Sequence, residues 1–193
     1  MPCFFRWHTL FFQAVYFNFV AGWLSFYNYF IFILLMLRFH NITSCDVNNG
    51  EGFRVTLWVA GCSHHCKGCQ NEQTWSFTGG RPFTDADKQY LFSELSKSYV
   101  QGLTLSGGDP LDSFSDVIAL VREVRYAFPA KDIWLYTGYT MEQIEDGNMA
   151  EILPLLDVVV DGPYIEEQRD VTLAFRGSRN QKIIRIKRFN PDD

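Results

Sequence analysis

Downstream of residue 52 the sequence alternates two periodicities. "FRVTLWVAG" (53–61) is rich in β-branched and aromatic residues and stops at a glycine, which predicts a strand. "TDADKQYLFSELSKSY" (84–99) predicts a helix, with Thr84 placed to cap it and Asp87 at the capping-box position. "GLTLS" (102–106) predicts a short buried strand. In "SFSDVIALVREVRYAF" (113–128), Phe114, Val117, Ile118, Val121, Val124 and Phe128 fall on one helical face. "DIWLYTG" (132–138) predicts another strand, and "TMEQIED" (140–146) a short helix with Thr140 and Gln143 in capping-box register. Two further apolar runs follow, "DVVVDG" (157–162) and "QKIIRIKR" (181–188). Short strands joined by helical crossovers imply an α/β fold with a mostly parallel sheet covered by helices. In such folds functional groups gather at the C-terminal ends of the strands. The loop "GCSHHCKGCQN" (61–71), "SGGDP" (106–110), "TGY" (137–139) and "DGPY" (161–164) all fall there.

The opening of the chain breaks this pattern. From Thr9 to Leu37 there is no charged residue, and residues 1–35 hold 14 of the 32 aromatics. The stretch is long enough to cross a bilayer, with Arg6 and Arg38 as flanks. No small-residue cleavage pattern follows a short apolar core, which argues against a signal peptide. A membrane anchor and a start assigned too far upstream remain as readings, and we favour the second, with Met36 as the true start. The expected organisation is an aromatic leader over 1–35, outside the mature domain, and one functional domain over 36–193.

The chain of 193 residues suits one such domain. A net charge of −5, or −6 without the leader, argues against a nucleic-acid surface. There are five cysteines: Cys3, Cys45, Cys62, Cys66 and Cys69. An odd count with three crowded together is a poor disulfide framework and a better metal or redox cluster, which fits a reducing cytoplasm.

Cys62, Cys66 and Cys69 are spaced C-x3-C-x2-C. Structural zinc would need a fourth ligand, from His64, His65 or Cys45, and no second cysteine knuckle exists. Thiolates also suit a 4Fe–4S cluster, and with three of them one iron keeps a position for a small molecule. His64 and His65 read as solvated loop residues, as donors to sulfide or as ligands. Cys45 reads as a small buried or edge residue. Arg176 and Arg179 can meet a partner or a carboxylate. Asp161 is a strand-end acid or plain turn chemistry. There is no Walker loop, no G-x-G-x-x-G and no supported Ser-His-Asp set.

C-x3-C-x2-C after a first strand, followed by "GGDP" after the second, resembles the radical S-adenosylmethionine superfamily. "VNNGEGFRVTLWVAGC", "CKGCQNEQTW", "LTLSGGDPL", "KDIWLYTGY", "VVVDGPY" and "FRGSRNQ" resemble, in the same order, blocks of the activating-protein family of the anaerobic ribonucleoside-triphosphate reductase. The likeness runs from about Met36 to near Arg188. It implies a partial, open β/α barrel of mostly parallel strands and a 4Fe–4S cluster on Cys62, Cys66 and Cys69. S-adenosyl-L-methionine is then expected at Gly68, Cys69, Gln70, Gly107, Gly108 and Asp109, with the paired glycines admitting a ligand close to the backbone. The implied activity is reductive cleavage of S-adenosylmethionine to methionine and a 5′-deoxyadenosyl radical. The implied protein substrate is the reductase, on which a glycyl radical forms, and the implied electron donor is flavodoxin. No nucleic-acid or membrane partner is expected. Pyruvate formate-lyase activation and a zinc-binding interaction domain are the alternatives. The family commonly places an aromatic after the last cysteine. Here Gln70 cannot stack on adenine, and Trp75 or Tyr139 is a candidate to compensate.

Overall fold

The computed structural model describes residues 36–186, so the aromatic leader and the last seven residues lie outside it. The sheet has seven strands: β1 (Arg38–Asp46), β2 (Phe53–Val59), β3 (Arg81–Pro82), β4 (Val100–Gly107), β5 (Asp132–Tyr136), β6 (Val158–Asp161) and β7 (Lys182–Arg185). Their spatial order is β3-β1-β2-β4-β5-β6-β7. The four central strands, β2, β4, β5 and β6, run parallel. The flanks do not: β1 is antiparallel to β2 and to β3, and β7 is antiparallel to β6. Among the described residues β3 and β7 stand at opposite ends of the order, so the sheet is not closed.

Three helices make the crossovers: α1 (Asp85–Leu95), α2 (Phe114–Ala127) and α3 (Met141–Asp146). Each begins as its sequence predicts. Thr84 accepts from the Asp87 N–H while the Asp87 side chain returns to the Thr84 N–H, and Thr140 and Gln143 repeat that box on α3. On α2, Val117, Ile118, Leu120, Val121 and Val124 are buried, while Phe114 and Phe128 are half-buried at its ends.

Strand alternation divides the sheet into two chemically different faces. Val55, Leu57, Val59, Leu103, Leu105, Ile133, Leu135 and Val159 pack with the helices in one core. The intervening positions carry Arg54, Thr56, Trp58, Thr104, Ser106, Trp134 and Tyr136. This second face forms a partly polar wall, with a small cluster of Trp134, Val158 and Val160 against which Tyr136, Phe175 and Ile183 pack.

Polar groups close the wall at the N-terminal ends of the parallel strands. Arg54 is fully buried, 2.6 Å from Asp132. It donates to Thr104 Oγ1 at 2.7 Å and to the Leu103 carbonyl at 2.8 Å, and lies over the Trp134 ring. A buried cation is tolerated because its donors are met in this way. Asp46 accepts from Thr56, Asn48 and Asn49, which fixes the turn between β1 and β2.

Three sequence expectations change. Strand β1 went unrecognised, since "RFHNITSCD" has no clean alternation; two register shifts interrupt its pairing with β2. The helix expected over 84–99 stops at Leu95, where Ser96 caps it and the chain turns toward β4. The last strand joins the sheet antiparallel, not by a crossover.

Candidate metal centre

The C-terminal ends of the parallel strands surround a cavity of about 410 Å³. Cys62, Cys66, Cys69, Gln70, Gly107, Gly108 and Asp109 all line it, as do His64 and Trp75. The cysteine loop leaves β2 directly. It is anchored where the Gly61 and Cys62 N–H groups donate to the Thr74 and Trp75 carbonyls at 2.8 and 3.0 Å. Gly68 is not in the lining. Its φ of +72° is left-handed, and a Cβ there would come 2.8 Å from the Glu166 carboxylate.

All three cysteines are free thiols on one cavity, and each faces backbone N–H donors. The His64 and His65 N–H groups face Cys62, the Tyr164 N–H faces Cys66, and the Asn71 N–H reaches Cys69 Sγ at 3.4 Å. Burial pushes the Cys62 thiol up to about 11, against those amide donors, and burial raises Cys66 as well. Unmetallated, Cys62 is therefore protonated at neutral pH. A metal centre reverses that balance by taking up the thiolate charge. Three thiols plus amides aimed at sulfur are the donor set of a thiolate-bound cluster.

Cys45 cannot complete this set. It is exposed on β1, and its sulfur lies 3.6 Å from Tyr99 Oη, just before β4 begins. That is the opposite end of the sheet, so the four-ligand zinc site built on Cys45 is excluded. His65 packs against Trp75, with ring centroids 4.9 Å apart.

The paired glycines also let two loops approach each other. A Cβ on Gly108 would lie 2.2 Å from the Gly61 carbonyl, and one on Gly107 would lie 2.6 Å from the Val59 carbonyl. The Gly108 and Asp109 N–H groups donate to the Val59 and Gly61 carbonyls at 2.9 and 2.7 Å. The close approach is between the glycine loop and the cysteine loop.

Asp109 is 1% exposed, and internal donors surround its carboxylate. They are the Leu111 N–H (2.9 Å), Thr137 Oγ1 (3.0 and 2.9 Å) and the Gly138 N–H (2.8 Å). His64 Nε2 stands 2.9 Å from Oδ2 at ion-pair distance, without a well-directed hydrogen bond. The Asp109 contact raises the His64 imidazole above its ordinary value, against the opposing effect of burial. Asp112, one turn on, accepts from Ser63 N–H at 2.6 Å, Ser63 Oγ at 3.0 Å and Tyr139 Oη at 2.8 Å. Sequence reasoning gave no individual role to Ser63, Thr137 or Tyr164, although each lies in a strand-end stretch it singled out, and it missed Asp112 altogether. For Asp112, its place two residues beyond the Gly-Gly-Asp-Pro stretch is the signal that could have flagged it.

The remaining candidates separate. Trp75 lines the cavity; Tyr139 does not, and packs edge-on to His64. Arg176 lines the cavity and donates to the Gln181 carbonyl at 2.8 Å, whereas Arg179 is exposed and pairs with Asp170 at 3.0 Å. Asp161 accepts from the Met141 and Lys182 N–H groups, so it splices α3 to β7. No helix among the described residues is long and apolar enough to cross a membrane.

A family model described as a 4Fe-4S single cluster domain matches residues 48–184. The chain is 44% identical over 154 residues to the anaerobic ribonucleoside-triphosphate reductase-activating protein of Vibrio cholerae, across 78% of this chain and 99% of that one. It is 46% identical over 146 residues to the protein of the same name from Haemophilus influenzae, across 74% and 94%. The counterpart from Enterobacteria phage T4 is 45% identical over 149 residues, across 76% and 93%. Matched by that family model over most of its length, and by these relatives over nearly the whole of theirs, this chain belongs to the 4Fe–4S family of anaerobic ribonucleoside-triphosphate reductase-activating proteins.

Proposed function

We propose that the protein is a radical S-adenosylmethionine enzyme that installs a glycyl radical on an anaerobic ribonucleoside-triphosphate reductase. The observation that carries this reading is the number of thiols. Cys62, Cys66 and Cys69 face one cavity, and no fourth cysteine reaches it among the described residues. Three protein thiolates on a four-iron cluster leave one iron open. When bound, the cluster supplies one electron to the sulfonium of S-adenosylmethionine, giving methionine and the 5′-deoxyadenosyl radical that takes hydrogen from a backbone glycine.

The chain's own residues account for the rest. The backbone of Cys69 and Gln70, with Gly107 and Gly108, offers polar edges to the co-substrate inside the cavity, while Gly68 and Asp109 hold these loops in place. Gln70 gives no aromatic face to adenine, which leaves Trp75, on the same wall, as the candidate ring. The unclosed sheet leaves room for a loop of a folded protein to approach the strand ends. Flavodoxin is the proposed electron donor and the cytoplasm the proposed compartment. No nucleic acid takes part, and residues 1–35 lie outside the activase domain.

The test is anaerobic incubation of reconstituted protein with reduced flavodoxin, S-adenosylmethionine and the reductase, read by electron paramagnetic resonance. A glycyl radical on the reductase, absent with pyruvate formate-lyase and absent for Cys62→Ala, is expected. Radical formation by Cys62→Ala, or on pyruvate formate-lyase alone, contradicts the assignment.

A further inference from the structure

Asp109 and Asp112 lie on one turn, and each grips a neighbouring residue of the Cys62–Cys66 stretch. Asp112 takes both the N–H and the hydroxyl of Ser63. Asp109 takes the His64 ring at 2.9 Å. The ring is confined on its other sides. Tyr139 meets it edge-on with centroids 4.6 Å apart, and Gly138 lies so close that a Cβ there would stand 2.4 Å from His64 Cδ2. Asp109 is itself immobilised by Thr137 and by two backbone N–H groups. A carboxylate so fully occupied is built to hold protein, with little capacity left for a ligand.

The residue that Asp109 holds is also the one whose N–H, together with that of His65, faces the Cys62 sulfur. Amide donors to cluster sulfurs stabilise the more negative, reduced state, and so set the reduction potential. We infer that His64 and Asp109 are positioning residues: the pair fixes the peptide N–H groups that act on Cys62, and thereby tunes the cluster bound there. The inference rests on the family's 4Fe–4S cluster and does not depend on S-adenosylmethionine chemistry.

Three variants separate this role from general stabilisation. His64→Leu keeps the bulk and removes the donor. His64→Gln restores a donor to Asp109. Gly138→Ala keeps the Leu111, Thr137 and Gly138 donors to Asp109 and displaces only the His64 ring. In the cluster-free protein, His64→Leu is expected to speed hydrogen exchange of the 63–66 amides about tenfold, as loss of one charge-assisted contact implies. Exchange in the β4 and α2 amides stays unchanged. After anaerobic reconstitution, the iron content is expected to match the parent, while the midpoint potential and the resonance of the reduced cluster shift. Gly138→Ala shifts both readouts in the same direction, and His64→Gln returns them toward the parent. Parental exchange and potential in His64→Leu would overturn the inference. So would a Gln variant no better than Leu, or a Gly138→Ala variant with parental readouts. Loss of iron in His64→Leu without faster exchange would make His64 a ligand and overturn it as well. None of these readouts uses S-adenosylmethionine, so failure of the proposed activity leaves them decisive.

Discussion

At the scale of single residues, the three thiols of the centre sit at one local spacing, and the groups around them come from distant parts of the chain. Three thiols at C-x3-C-x2-C identify themselves in the sequence, because few other chemistries need that pattern. Their amide donors do not, since Tyr164 lies 95 positions beyond Cys69 and only the β6–β7 connection brings it back. The glycine pair shows a subtler gap. Its motif was legible, but its steric partner, the Gly61 carbonyl, was not. Gly108→Ala is accordingly expected to destabilise the fold by about 2 kcal/mol, as overpacking against backbone does. Urea unfolding of the cluster-free protein measures it. A loss under about 0.5 kcal/mol would mean that the loops are not clamped there.

At the scale of elements, helices were more legible than strands. Capping boxes at Thr84 and Thr140 and the apolar face of α2 are local signals, and the helices begin where those signals place them. Strand β1 has no such local signature, and its place in the sheet comes from pairing with β2 and β3. The polar character of the second face comes from alternate strand positions such as Arg54, Thr56, Thr104 and Ser106, and only the sheet pairing brings them onto one wall. The start of α1 gives a pH prediction. Arg81, with hydrogen bonds from Thr84, holds Asp87 down at about 2. A depressed carboxylate stabilises the fold above its unfolded value of about 4 and loses that contribution as pH falls through about 2. Asp87→Asn should therefore cost about 1 kcal/mol at pH 7. The gap to the parent should close as pH falls from about 4 to about 2. Thermal unfolding across that range checks both, and a gap that widens toward low pH would contradict the sign.

At the scale of the whole molecule, one side of the sheet is a helix-covered core and the other is a partly polar wall closed at its lower end by buried charged groups. The lower closure depends on Arg54. Arg54→Met leaves Asp132 facing a buried apolar group and should destabilise by about 3 kcal/mol, measurable by urea unfolding. A neutral result would show that the polar plug is dispensable. A chain started at Met36 should unfold at the same midpoint and take up the same iron as the full chain, and a lower iron content would assign the leader to the domain. The account stands or falls on an iron–sulfur centre with one iron left to the co-substrate. Electron–nuclear double resonance on the reduced, reconstituted protein, with oxygen-17 in the S-adenosylmethionine carboxylate, addresses that point most directly. The account predicts an oxygen-17 coupling to the cluster, lost when the labelled molecule is omitted. A cluster that shows no such coupling, with all four irons held by protein side chains, would contradict it.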